Sequence, residues 1–359
     1  SIQKKEVKMQ GIKLQDRIIA HNQPCFIIAE AGVNHNGDIE LAKKLIDVAV
    51  DSGADAVKFQ TFIADEIILH NAPKAKYHIE TTGDDKEQSW HGLLRDQELN
   101  RAQHIELIEY CKNKGIIFLS TPYDWPSVDL LDELDVPIFK VASTDANNLP
   151  LLRYMAKKNR PMIISTAMSS LDEVSNSVAL IKAEGIDDLV VLQCTGSYPA
   201  PVDQANIKAM QKILKECDVA VGYSDHVPGY STAIAAVAIG ACVYEKHFTI
   251  NRNLSGPDHR SSLEPDELKE LIQLIRQTES SLGDGNKKIM PCERNNRNKL
   301  RKFIVAREDI KQGEVFSNKN LTTKRTGGDG MVPTEWDALL GKASPKKFNK
   351  NQPIILGVN

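Results

Sequence analysis

No apolar run in this chain of 359 residues approaches the roughly 20 residues that a bilayer-spanning helix needs, so no membrane partner is expected. The opening residues, SIQKKEVKMQGIKLQDR, lack the apolar core of a secretory signal. Positive charge is not in excess: 45 Lys and Arg against 48 Asp and Glu leave a formal net charge of −3. A nucleic-acid-binding surface draws its affinity from counterion release at basic patches, so no nucleic-acid partner is expected either. Cys25, Cys111, Cys194, Cys217, Cys242 and Cys292 contain no CxxC pair, which leaves no thiolate cluster for structural zinc. Cys25, Cys194 and Cys242 sit in apolar runs, where reduced buried thiols are expected rather than disulfides. Internal repeats and low-complexity tracts are missing too. The expectation is a soluble, cytoplasmic protein.

What is present is enough apolar sequence for a large core: 41% hydrophobic residues beside 26% charged ones. The length exceeds one typical domain and suits a large barrel with a small appendix. Short β-branched runs recur: CFIIAEAG from Cys25, AVKFQT from Ala56, IIFLSTP from Ile116 and IFKVAS from Ile138. PMIISTA from Pro161, LVVLQCT from Leu189, AVGYSD from Ala220 and VYEKHFT from Val243 complete the series. Near-continuous hydrophobicity marks strands covered on both faces, as in parallel sheets.

Helical patterns separate the runs. Asp38 can cap a helix carrying Leu41, Leu45 and Val48 on one face, with Gly53 after it. Ser170 and Glu173 form a capping box, and Pro265 suits a first turn. Some eight strand–helix alternations predict a (β/α)₈ TIM barrel. An open doubly wound sheet is the rival, because periodicity does not show closure.

The polar segment 62–96 predicts an extended loop over one barrel end. Residues 1–283 are thus read as the barrel domain, and 284–299, charged and weakly periodic, as a linker. Residues 300–359 show a short-strand pattern and read as a small C-terminal domain.

In a barrel, residues at the C-terminal strand ends share one mouth. In chain order these are Glu30; Lys58 and Gln60; Ser120 and Thr121; Lys140, Ser143 and Asp145; Ser165 and Thr166. Thr195, Ser197 and Tyr198 follow, then Ser224, Asp225 and His226, and finally Glu245 and His247. Two lysines among hydroxyls are built to receive a small polyanion. Each lysine lies inside an apolar strand, where an unpaired ammonium is costly. A bound anion or a buried acid must compensate, and the anion is the preferred reading. Any single serine reads first as a strand-end hydrogen bond, and either histidine alone as a strand cap. Together, two neighbouring strand-end histidines can hold a divalent ion with coordination positions left open. Mixed nitrogen and oxygen donors suit Mn²⁺ or a similar ion, which could polarise an aldehyde oxygen or organise a water. Glu30 is the natural group to move a proton at the mouth.

These strings together resemble the sialic acid synthase family, the nonulosonate synthases that condense phosphoenolpyruvate with an N-acylmannosamine-type sugar. The match runs through IIAEAGVNHNGD from Ile27, GADAVKFQTF from Gly53, FLSTPYD from Phe118 and FKVASTDANNLP from Phe139. It continues through IISTAMSS from Ile163, QCTGSYPAP from Gln193, GYSDH from Gly222, EKHFT from Glu245 and SGPDHRSSLEP from Ser255, and reaches TTKRTGGDG from Thr322. The resemblance implies a (β/α)₈ barrel followed by an antifreeze-like (SAF, β-clip) domain, in a domain-swapped homodimer. It implies a divalent metal, Mn²⁺ with Mg²⁺ or Co²⁺ as alternatives, on His226 and His247. Lys58, Lys140, Ser143, Ser165 and Ser224 would hold phosphoenolpyruvate, with Gln60, Thr121 and Tyr198 lining the site. Glu30 would act as base or water-orienting group, and Asp145 and Asp258 would face the sugar hydroxyls. Arg325 would reach the partner's active site and contact the N-acyl group.

The chain departs from the family pattern at Asp145, where many members carry glutamate, at Ala167 in place of a common glycine, and at Thr326 in place of proline. An aromatic that some members place at the start of the small domain has no match near Lys299–Lys302. The activity implied is N-acetylneuraminate synthase, by C–O cleavage with release of phosphate. Legionaminate or pseudaminate synthesis from a 2,4-diacetamido-trideoxy hexose is the near alternative. A pyruvate-dependent metal aldolase and a non-catalytic carbohydrate binder are the readings of other classes.

Overall fold

The computed structural model describes residues 10–357 apart from 15, 16, 85 and 87, and divides the chain into two compact units, Ser1–Gly283 and Asp284–Asn359. In the first unit, β1 (Gly11–Lys13) and β2 (Ile18–Ala20) form an antiparallel hairpin. Eight further strands follow: β3 (Phe26–Gly32), β4 (Ala56–Thr61), β5 (Ile117–Pro122) and β6 (Phe139–Val141), then β7 (Met162–Ser165), β8 (Leu189–Cys194), β9 (Ala220–Asp225) and β10 (Val243–His247). All are parallel to their neighbours, in the order β5-β4-β3-β10-β9-β8-β7-β6. The end strands β5 and β6 lie against each other without a hydrogen-bonded ladder. A near-closed barrel, not an open sheet, is the outcome.

Helices between the strands start where the sequence supplies caps. Asp38 accepts from the amides of Glu40 and Leu41 at the head of the helix Ile39–Ser52. Ser170 and Glu173 form the reciprocal box ahead of Leu171–Ala183, and Pro265 opens Pro265–Leu282. Among the described residues no helix is long and apolar enough to cross a membrane. Five of the six cysteines are buried and all are free thiols.

The period of two along each strand sorts side chains into two shells. On β3, Ile27, Ala29 and Ala31 pack outward against helices, while Phe26 and Ile28 pack inward. On β10, Tyr244 packs outward and Val243 inward. The inward residues of all eight strands form one apolar plug at the strand starts, joined by Ile12 and Ile19 of the hairpin. Glu30, Lys58, Lys140, Ser165, Ser224 and Glu245 are the next inward positions along the same strands. The barrel interior is therefore apolar below and charged above. Ser120 and Thr166 take the other parity: Ser120 bonds Thr61 Oγ1 at 2.6 Å, and Thr166 donates to Leu192 O at 2.8 Å. These two make the strand-end hydrogen bonds expected of a single hydroxyl.

One expectation is corrected. Segment 62–96 is not an extended loop; it carries the short helices Ala64–Ile67, Lys76–Thr82 and Trp90–Asp96. These lack helical periodicity because each is a few turns at most, and burial of His78, His91 and Leu93 orders them instead. Segment 284–299, read as a linker, is exposed throughout and contains most of the helix Arg294–Leu300.

The second unit pairs β11 (Lys302–Ala306) with β12 (Leu321–Arg325) antiparallel. Isolated antiparallel bridges Ile310↔Phe348 and Val315↔Ala343 join other parts of this unit. Its core gathers Ile304, Ile310, Phe316, Leu321, Phe348 and Ile354.

Close approach of β9 and β10 requires Gly222. A Cβ there would lie 2.3 Å from Val243 O and 2.7 Å from Leu192 Cδ2. Gly222→Ala should lower the unfolding free energy by about 1–3 kcal/mol. Chemical denaturation measures this, and an unchanged midpoint would mean that the strands have room to part.

Candidate active site

The inward positions of β3, β4, β6 and β10 bring four charges together at the barrel mouth. Lys58 Nζ lies 3.0 Å from Glu30 Oε1 and 3.7 Å from Glu245 Oε2. Lys140 Nζ lies 3.4 Å from Glu245 Oε1. All four side chains are buried. The compensation expected from a bound anion is thus supplied in part by buried acids, and Glu245, named at a strand end but not chosen as a site residue, is the central one. The signal was present: Val243, Glu245 and His247 share one face of β10.

Hydroxyls fill the remaining valences. Lys58 donates to Thr121 Oγ1 at 2.9 Å, Lys140 to Ser165 Oγ at 2.7 Å, and Ser224 to Glu245 Oε1 at 3.1 Å. Gln60 donates to Glu30 Oε1 at 3.4 Å. Ser143 Oγ accepts from the Ala167 amide at 3.0 Å. This places Ser143 beside the end of β7.

Burial and charge set the protonation states. Burial opposes ionisation of Glu245, but Lys140 and Lys58 outweigh it and hold its pKa at about 2. Glu30 is pushed the other way, to about 7, by burial first and by the charge of Glu245, against the pull of Lys58. Burial likewise opposes the charge on Lys58, yet Glu245 and Glu30 raise its pKa; for Lys140 burial wins and the pKa falls. Lys58 thus faces a firmly ionised Glu245 and a Glu30 whose pKa lies near neutrality, while burial weakens the charge on Lys140. Two buried lysines at one mouth are where an anionic ligand would be met.

His226 and His247 stand at the same mouth with ring centroids 5.7 Å apart. His226 Nδ1 lies 2.7 Å from Thr195 O, an acceptor only, so Nδ1 carries the proton and Nε2 keeps its lone pair. Burial lowers the pKa of both rings, helped at His247 by His226. Both are neutral imidazoles, the form that ligates metals. His247 Nδ1, Glu30 Oε2 and Glu245 Oε2 are buried without a hydrogen-bond partner. Orphaned buried acceptors beside neutral imidazoles fit a divalent cation. Asp258 Oδ2 lies 4.0 Å from His247 Nδ1, and burial raises its pKa to about 6.

An aromatic stack walls one side. The Tyr198 ring lies 4.0 Å from His226 and 5.5 Å from Tyr77, which sits on the short helix Lys76–Thr82. Sequence reasoning passed over Tyr77, a lone aromatic in a polar segment. It also left out Tyr123, whose hydroxyl is raised by burial and then by the charges of Glu30, Asp145 and Asp258. Asp145 sits on the turn Ser143–Asp145 and accepts from Asn148 Nδ2 at 2.9 Å. Of the predicted residues, only Arg325 lies in the second unit, exposed at the end of β12 with its Nε donating to Leu300 O at 3.1 Å.

Residues 45–287 match the NeuB family model, which covers the barrel strands from β4 to β10 and the helix Pro265–Leu282. The chain belongs to the NeuB family. Residues 301–355 match the SAF domain. An N,N'-diacetyllegionaminic acid synthase of Campylobacter jejuni is 48% identical over 91% of this chain and 98% of its own. One from Legionella pneumophila is 42% identical over 93% of each. The crystal structure of an N-acetylneuraminic acid (sialic acid) synthetase from Leptospira borgpetersenii, in complex with citrate, superposes with a TM-score of 0.70 at 34% identity, covering 80% of this chain and 95% of that one. Of the four charges at the mouth, Lys58, Lys140 and Glu245 lie inside the matched span and Glu30 precedes it.

Removing Glu245 leaves two buried ammoniums without their shared counter-charge. Glu245→Ala should cost about 3–5 kcal/mol of stability, read as a lowered denaturation midpoint. A variant as stable as the parent would show that water already screens the two lysines.

Proposed function

We propose that this NeuB-family chain is an N,N'-diacetyllegionaminic acid synthase, condensing phosphoenolpyruvate with a 2,4-diacetamido-trideoxy hexose and water and releasing phosphate. The observation that carries the reaction type is the pairing of Lys58 and Lys140 around Glu245 beside two neutral histidines. The choice of sugar is supported by the two legionaminic acid synthases among the relatives, at 48% and 42% identity. N-Acetylneuraminate synthesis is the second reading, supported by the sialic acid synthetase structure at 34% identity. Asp145, shorter by a methylene than the glutamate of many members, leaves more room at the sugar for an added acylamino group.

In this reading Lys58, Lys140, Ser143, Ser165 and Ser224 hold the carboxylate and phosphate of the donor. They offset its charge without reorganising during the reaction. A divalent ion, Mn²⁺ in this reading, would be held by His226 and His247 and would supply Lewis-acid polarisation of the sugar's carbonyl oxygen. The donor's methylene carbon forms the new bond to that carbonyl carbon, and the electron pair of the C=O bond moves onto oxygen. The enol carbon, left electron-poor, accepts water, whose proton passes to Glu30. The C–O bond to phosphate then breaks, phosphate leaving with the electron pair as the added hydroxyl oxygen forms the keto C=O and passes its proton to the phosphate, while the proton held by Glu30 goes to the sugar alkoxide. Asp258 and Asp145 face the sugar hydroxyls, Tyr77 and Tyr198 form its wall, and Gln60 and Thr121 orient Glu30 and Lys58. Arg325 of a second copy is the group assigned to the N-acyl substituent, which makes a homodimer part of the proposal.

Two experiments test it. Purified enzyme with Mn²⁺ and phosphoenolpyruvate should release phosphate at least about tenfold faster, by kcat/KM, with 2,4-diacetamido-2,4,6-trideoxymannose than with N-acetylmannosamine. The reverse preference transfers the assignment to N-acetylneuraminate, and turnover with pyruvate in place of phosphoenolpyruvate would remove the synthase reading. Because Glu30 must be ionised to take a proton and its pKa stands at about 7, kcat/KM should fall as pH drops through 7. Glu30→Gln should lose about 10²–10⁴-fold in rate and that acid limb with it; a limb that survives belongs to another group.

A further inference from the structure

We propose that Asp65, His70 and His91 form a second divalent-cation site, apart from the barrel mouth and of the Zn²⁺ class, on the segment that follows β4. One ligand atom from each lies within 4.8 Å of the other two. His91 Nε2 is 2.7 Å and His70 Nε2 3.4 Å from the same oxygen, Asp65 Oδ1. The two rings stack with centroids 3.9 Å apart and planes inclined by 28°, so both nitrogens face one carboxylate from adjacent layers. Stacked imidazoles aimed at one acid are the arrangement that a shared cation would hold.

The donor set selects the ion. Two imidazoles and one carboxylate suit Zn²⁺, Co²⁺ or Ni²⁺, whereas Mg²⁺ and Ca²⁺ take oxygen ligands. Arg95 reaches both oxygens of Asp65, at 3.0 and 2.9 Å. Arg95 fixes the orientation of the carboxylate, and a cation at Oδ1 would take the place of the His91 hydrogen bond of 2.7 Å, turning that ring nitrogen from donor to ligand. The guanidinium charge moderates affinity, and the partial exposure of Asp65 and His70 leaves coordination positions for water.

The site also has a structural consequence. Asp65 lies on helix Ala64–Ile67, His70 on the turn after it, and His91 on helix Trp90–Asp96. A bound cation would tie the two ends of the segment that carries Tyr77 between them. The cluster shares no residue with the barrel mouth, so this inference does not depend on the proposed reaction.

The test uses the full chain without an affinity tag, carrying His226→Ala and His247→Ala to remove the other two histidine donors. Calorimetric titration with Zn²⁺ should still find one ion per chain. Adding His70→Ala, at a side chain 76% exposed and so without risk to folding, should weaken that binding at least about tenfold. Asp65→Asn should do the same, and Mg²⁺ should not compete. Absence of Zn²⁺ binding in the parent of this series, or unchanged affinity in both His70→Ala and Asp65→Asn, would overturn the site.

Discussion

The molecule is organised around two lysines buried inside a barrel. An isolated ammonium in an apolar interior costs several kcal/mol, and Lys58 and Lys140 each occupy an inward position one step above the apolar plug. Glu245 stands between them and answers both. Glu30 pairs only with Lys58 and sits beside the negative charge of Glu245, so it holds its proton up to near-neutral pH. One carboxylate is committed to structure and the other is left free to exchange a proton. That division follows from position within a low-dielectric mouth, since both are ordinary glutamates elsewhere.

The same geometry explains why the histidines are neutral. Desolvation lowers both pKa values, and the Thr195 carbonyl fixes the tautomer of His226. A cation-binding pair of imidazoles needs this state. It is obtained at the price of the buried, unpartnered acceptors His247 Nδ1, Glu30 Oε2 and Glu245 Oε2. Polar groups left without partners in a closed interior are costly, and they concentrate here, where ligands enter, instead of in the plug below.

Segment 62–96 shows how burial can order a sequence that carries no periodic signal. Its helices are too short to be stable alone, yet Tyr77 packs on Tyr198 and Ser89 caps the helix Trp90–Asp96. The polar composition that reads as a loop reflects its position over the mouth, where one side meets solvent and the other meets a charged site.

Much of the architecture was legible in the chain itself. Continuous apolar runs could only be strands covered on both faces, and caps at Asp38, Ser170 and Pro265 set helix starts through local backbone bonding. The site residues from Glu30 to His247 were legible as strand-end positions, because in this topology every strand's C-terminal end opens on one mouth. Other features depended on closure of the barrel. Bringing β3 beside β10, more than two hundred residues later in the chain, is what sets Glu245 beside Lys58 and, with burial, gives Glu30 its raised pKa. Buried carboxylates come to share in neutralising the lysines for the same reason. Periodicity and capping act between near neighbours and can be read along the chain; burial and Coulomb interactions act between residues that only the folded barrel makes neighbours.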